Sequence, residues 1–163
     1  MNILLAVDAS DASKKAVAFV GRTLASCTGD HSVTLFHVVE SLPDYLLVRS
    51  AETSDGNVFR QVADELNASN RVDGERLLEQ TQGILTSAGV ANSAVCTKLA
   101  VRDGLPEAKK VVAALAIIEE MRGDYNVVCV GRRGTSATAG SFPGSVAEKV
   151  LREAHGKTVW VVD

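Results

Sequence analysis

The sequence predicts a three-layer α/β/α fold. Its centre would be an open, twisted, five-stranded parallel sheet of Rossmann-like type, with the strand order 3-2-1-4-5 that goes with that arrangement. Three observations carry this expectation. Short apolar runs such as Ile3 to Val7 and Val127 to Val130 lack the alternation of a half-wet strand, so they suit strands buried on both faces. These runs alternate with longer segments whose apolar residues recur at helical spacing. Strand–helix alternation in turn calls for right-handed crossovers that cover both sides of the sheet.

The first strand, Ile3 to Val7, ends in a carboxylate, Asp8. Ser10 and Asp11 offer caps for a helix whose apolar face is Ala16, Phe19, Val20, Leu24 and Cys27, and Gly29 ends it. Val33 to Val39 is the second strand. Residues 41 to 57 read as loop, carrying Pro43, Ser54, Asp55, Gly56 and Asn57. A helix follows, at least from Arg76 to Ala88, with Leu77, Leu78, Thr81, Ile84 and Leu85 along one side and Gly89 as its stop. Gly74 and Gly83 weigh against its continuity. Ala94 to Ala100 is the third strand. Pro106 is well placed to start a helix with a buried stripe of Val111, Val112, Leu115, Ile118 and Met121. Val127 to Val130 is the fourth strand, Val146 to Ala154 the last helix, and Thr158 to Val162 the fifth strand.

A chain of 163 residues without internal repeat or linker is expected to form one domain over residues 1–163. Its net charge of −3 lacks the electrostatic footprint of a nucleic-acid or anionic-membrane binder, so any polyanion must be held locally. Asp8 interrupts the first apolar run, which therefore does not read as a signal peptide, and no stretch reaches the length of a membrane span. The three cysteines, Cys27, Cys96 and Cys129, are odd in number and widely spaced. In strand-like runs Cys96 and Cys129 behave as small hydrophobes. A cytoplasmic location follows as the expectation.

Ligands of open α/β sheets bind beyond the carboxyl ends of the strands. Asp8, Val38, Val39 and Gly131 fall at such ends. The segment Gly131-Arg132-Arg133-Gly134 is followed by nine residues and then Gly144-Ser145. Glycine allows close backbone approach, and the helix opened by Gly144-Ser145 presents free N–H groups suited to phosphate. Thr135, Ser136, Thr138 and Ser141 offer hydroxyl donors. A plain alternative stands beside this: a loop followed by an ordinary capping box, Ser145 with Glu148. The spacing is neither the P-loop nor the dinucleotide fingerprint, and the loop has no lysine.

At these residues the chain resembles the universal stress protein family, in particular its ATP-binding branch with the motif G-x2-G-x9-G-[ST]. Gly131, Gly134, Gly144 and Ser145 match every defined position. The resemblance covers essentially the whole chain: the opening strand to Asp8 and Ser10, the ending His37-Val38-Val39, the helix entry Gly104-Leu105-Pro106 and the final helix from Gly144 to Val150. It implies that Asp8 and the backbone of Val38 or Val39 border an adenine, and that Val130 and Gly131 approach the ribose. Gly134, Gly144, Ser145 and Val146 would bind phosphates, with Mg2+ or Mn2+ between phosphate oxygens. It also implies a homodimer through the strand 158–162. Pro143 departs from the family's usual aliphatic residue, and the loop from Ser41 to Asn57 and the helix after it are long by family standards.

Arg132 and Arg133 are either counter-charges for phosphate or solvated loop side chains. Asp8 is either a general base or metal ligand, or a hydrogen-bond acceptor at its strand end. His31, His37 and His155 have no metal-ligand spacing. Asp73, Glu75, Glu79 and Glu65 read as the wet face of a helix. The leading functional expectation is a stress-response module that signals through nucleotide occupancy of a dimer. The alternatives are a slow metal-dependent ATPase and an adaptor that binds AMP or cyclic AMP. The lack of a loop lysine and of a distinct nucleophile favours binding over turnover.

Overall fold

A computed structural model describes residues 1–42, 56–103, 109–134 and 143–163. The chain runs β1 (Asn2–Ala6), α1 (Asp11–Ala25), β2 (Ser32–Ser41), α2 (Gly56–Ser87), a 3-10 turn (Asn92–Ala94) and β3 (Val95–Asp103). It continues α3 (Lys109–Glu120), β4 (Val127–Gly131), α4 (Ser145–Glu153) and β5 (Thr158–Val162). All strand pairs are parallel and the order is β3-β2-β1-β4-β5, as the apolar runs predict.

The wholly apolar strands sit where both faces are covered. Ile3, Leu4 and Leu5 of β1 are fully buried, as are Val128 and Cys129 of β4. Side chains alternate across a strand. Ile3, Leu5, Val33 and Leu35 therefore pack under Val17, Val20 and Leu24 of α1 and Leu78 and Leu85 of α2. On the opposite face Leu4, Phe36, Val128 and Val130 meet Ile117 and Met121 of α3 and Ala147 and Val150 of α4. Helix α1 starts where the sequence indicates. Ser10 is its N-cap, in extended conformation, and its hydroxyl accepts from the Ser13 N–H at 3.2 Å. The edge strand β5 is tied to α1 by an edge-to-face contact of Phe19 with Trp160.

Several expectations need correction. Helix α2 contains the segment expected from Arg76, but it begins earlier, at Gly56 inside the stretch expected as loop, and runs for 32 residues through Gly74 and Gly83, which do not interrupt it. A helical glycine costs about 1 kcal/mol in propensity, but packing at Gly74 requires one. A Cβ there would lie 2.7 Å from Val39 Cγ2 and 2.9 Å from Leu99 Cδ1, so only glycine lets α2 settle on β2 and β3. The α3 stripe is right in part. Ile118 and Met121 are buried as expected and Val112 is half-buried, but Val111 and Leu115 are 45% and 58% exposed, and Ala114, Ala116 and Ile117 are buried instead. In a helix this apolar throughout, composition does not set the phase; contact with α4 and the sheet does. Ile84 of α2 is also exposed, Cys27 lies beyond the end of α1 in solvent, and Cys96 is exposed on the edge strand β3. Residues 43–55 of the expected loop, and the helix entry Gly104-Leu105-Pro106, lie outside the described residues.

Two outcomes are expected. Gly74→Ala should destabilise the protein by about 1–3 kcal/mol, the range for overpacking a filled site, as read from urea unfolding midpoints. Cys129 is buried, and burial pushes its thiol up to about 12, while Cys27 and Cys96 are exposed. Under native conditions at pH 8 an alkylating reagent should modify two thiols, and the third only after unfolding.

Candidate functional site

A cleft of 520 Å³ opens at the carboxyl ends of β1, β2 and β4, where the strand order reverses. Its floor is set by how the β1–β2 ladder stops. The register pairs Ala6 with Phe36, and the Val7 N–H donates to the Phe36 carbonyl at 2.9 Å. Phe36 therefore turns both backbone groups toward β1. Because successive residues of a strand point their N–H and C=O to opposite edges, Val38 does the same two residues later. By then β1 has turned away toward α1, and no described residue hydrogen-bonds the Val38 N–H or C=O. The backbone of Val39 points the other way, to β3, where Val39 is in register with Val101. Of the two valines singled out from sequence, Val38 presents to the cleft a donor and an acceptor that no described residue bonds, and Val39 lines it with its side chain.

The N-terminus of α1 forms one wall. Asp8 Oδ1 accepts from the Ser10 N–H at 3.0 Å and from the Ser10 hydroxyl, and the Asp8 N–H donates to Ser13 Oγ at 3.0 Å. Asp8 thus accepts hydrogen bonds at its strand end. Gly131 lets β4 approach this turn, since a Cβ there would stand 3.0 Å from the Ser13 nitrogen. Gly134 faces Asp8: a Cβ on it would meet Asp8 Oδ2 at 2.9 Å.

The two loop arginines separate. The Arg132 side chain hydrogen-bonds Asp163, and its N–H donates to the Val162 carbonyl at 2.6 Å, fastening the loop to the end of β5. Arg133 lines the cleft, with its guanidinium 4.0 Å from the Asp163 carboxylate. The Arg132 carbonyl accepts from the Gly144 N–H at 2.9 Å, and a Cβ on Gly144 would collide with that same oxygen at 2.9 Å. Gly144, not Ser145, is the N-cap of α4. The expected capping box is not made: the Glu148 N–H bonds the Gly144 carbonyl and its carboxylate pairs with Arg152 at 2.7 Å. The Ser145 side chain is left exposed at the start of α4, next to the cleft-lining Val146.

Asp8, Val38, Val39, Val130, Gly131, Arg133, Gly134 and Val146 therefore all line one cleft, while Gly144 and Ser145 stand just outside it. The hydroxyls of Thr135, Ser136, Thr138 and Ser141 lie outside the described residues. The sequence reading missed the opposite wall, where Asn70, Asp73, Gly74, Leu77 and Gln80 of α2 face the cleft. Their spacing is helical, and it would have shown had the helix been carried through Gly74. Asp73 is exposed, as expected of a wet face, but it sits at the cleft mouth paired with Arg76 at 2.9 Å. His37, which opens the strand ending His37-Val38-Val39, also lines the cleft; its Nδ1 lies 2.7 Å from the Val7 carbonyl.

A parallel doubly wound sheet with its cleft at the switch point defines a Rossmann-like α/β fold, and open α/β sheets of this kind place their ligands at that point. The chain belongs to the universal stress protein family, whose profile matches residues 1–163. Solved structures agree in fold. The protein MJ0577, first characterised as a hypothetical protein, superimposes with a TM-score of 0.65 at 19% identity, over 99% of this chain and 94% of its own. Universal stress protein UspA from Lactobacillus plantarum gives 0.65 at 20% identity, over 100% and 97%. A universal stress protein in complex with cAMP gives 0.56 at 18% identity, over 99% and 95%. No curated protein is similar enough in sequence to count as a relative.

The Arg132 hydrogen bond holds the Asp163 carboxyl below the usual carboxylate range. A lowered folded value means stability that is present above the ordinary range and lost on acidification through the lowered one. The urea midpoint of wild type should exceed that of Asp163→Asn at pH 7, and the gap should close below about pH 4, near the reference aspartate value.

Proposed function

We propose that the cleft binds an adenine nucleotide, ATP in the first instance, and that the protein works as a stress-response module read out through nucleotide occupancy. The observation that carries this reading is the donor and acceptor of Val38, which no described residue bonds. An N–H beside a C=O on one strand edge complements a base edge that sets an acceptor ring nitrogen beside an exocyclic amine, as adenine does. Asp8 borders the same end of the cleft, and Val130 and Gly131 lie toward the ribose. Arg133 supplies a cationic side chain on the β4 side, and the first N–H groups of α4, at Ser145 and Val146, aim a helix N-terminus toward phosphates. Gly134 and Gly144 keep that approach clear of side chains.

Among the described residues no group of three His, Cys, Asp or Glu side chains is placed to hold a metal ion. Mg2+ or Mn2+ would therefore ride on phosphate oxygens rather than in a protein cage. Asp8, the carboxylate that follows β1, is engaged by Ser10, which favours binding over turnover. A second reading, an adaptor for AMP or cyclic AMP, has the support of the structural neighbour solved with cAMP. The protein is proposed to act in the cytoplasm, as one nucleotide-binding domain over 1–163; no described helix is long and apolar enough to cross a membrane. A homodimer is proposed through β5, which among the described strands pairs with β4 alone and so offers its outer edge to a second copy.

Denaturing the purified protein and identifying released nucleotide by mass spectrometry tests the reading, with a competition series of ATP, AMP and cyclic AMP. ATP should be released or bind tightest. Gly144→Val, which drives a side chain into the Arg132 carbonyl, should weaken it at least tenfold. A preference for cyclic AMP would keep the site and change the ligand. No binding at millimolar nucleotide would remove the proposal.

A further inference from the structure

The β1–β2 ladder lacks a rung that its register calls for. In a parallel pair the residue that donates to a neighbour's carbonyl also accepts, on its own carbonyl, from the N–H two residues further along that neighbour, so Val7, whose N–H bonds the Phe36 carbonyl, should receive the Val38 N–H. It receives instead the ring of His37, Nδ1 to oxygen at 2.7 Å. A carbonyl oxygen only accepts, so Nδ1 carries the proton in this contact. The ring is held there from two sides. It lines the cleft, and its Cδ2 edge lies where a Cβ on Gly74 would come within 3.1 Å, so the glycine of α2 makes room for it.

We propose that His37 is a positioning residue: by occupying the Val7 carbonyl it ends the ladder one rung early and keeps the Val38 N–H available to the ligand. The role it has in nucleotide binding rests on the reading of the cleft given above. The backbone device does not. Without a side-chain donor at this point, Val7 and Val38 would satisfy each other, since a buried carbonyl and N–H in register pair readily. The strand would then zip one rung further, and the donor half of the recognition pair would be lost to the sheet. Val38 would keep its carbonyl, so binding would weaken rather than vanish. A histidine suits the task because its Nδ1 sits close to its own backbone. Asparagine places its amide nitrogen at a similar reach, whereas leucine fills the space with no donor.

The test uses the full chain. Amide hydrogen exchange followed by NMR reports Val38 directly, and ATP titration reports the consequence. In wild type without nucleotide the Val38 amide should exchange at least tenfold faster than the Phe36 amide, and become protected when ATP is added. In His37→Leu it should be protected without nucleotide, and ATP affinity should fall about tenfold. In His37→Asn both properties should stay near wild type. A Val38 amide already protected in nucleotide-free wild type overturns the proposal with no variant needed. So does a His37→Asn protein that loses affinity as fully as His37→Leu, because the far side of the ring would then be what the ligand needs. If the amide behaves as expected in all three proteins but none binds ATP, AMP or cyclic AMP, the backbone device stands and the adenine reading fails.

Discussion

The burial of β1 on both faces is the constraint on which the rest of this molecule depends. Ile3, Leu4 and Leu5 have no exposed surface, and a strand in that position must have a paired neighbour at each edge and a helix layer above and below. Strand β2 pairs on one side and β4 on the other. With right-handed crossovers, α1 and α2 then cover one face, and α3 and α4 the other. The reversal of strand order falls at β1, so β1 and its neighbours part at their carboxyl ends. The cleft is the space that this parting leaves.

What fills the rim of the cleft follows from how polar backbone groups are satisfied there. Asp8 is tied to Ser10, Ser13 accepts from Asp8, and Arg132 bridges the loop after β4 to both α4 and the end of β5. These bonds place the Gly131–Gly134 turn, the start of α4 and the edge strand as one connected unit. A change at the outer edge of β5 thus has a short covalent and hydrogen-bonded path to the loop that borders the cleft. Against this connected rim, Val38 stands out because its own backbone groups have no described partner.

The wall opposite that rim comes from α2, and it shows how packing overrides local preference. Gly74 weakens the helix as an isolated segment, yet it is the position at which α2 approaches Val39, Leu99 and His37. Intrinsic propensity differences near 1 kcal/mol are small beside the burial of a long helix against two strands. The same glycine that interrupts the sequence pattern brings Asn70, Asp73 and Gln80 over the cleft.

The five strands, their parallel pairing, the caps of α1 and the alignment of Asp8, Gly131 and Gly134 at one end of the sheet were legible in the residues. Wholly apolar runs suit only doubly covered strands, and Ser10 has few other roles ahead of a helical stripe. The start of α2 and the face of α3 were not legible, because Gly74 mimics a stop and a run such as Val111 to Ile118 carries no polar face to set its rotation. Nor did composition separate Arg132 from Arg133, or Val38 from Val39. By itself the sequence determined which segments form strands and helices and which end of the sheet carries the polar and glycine-rich turns, since periodicity and turn chemistry are local. Only the tertiary structure decided which backbone groups remain unpaired in the cleft and which side chains hold them so, because a hydrogen bond between Val7 and His37 depends on strand register and on the room left by a helix that follows much later in the chain.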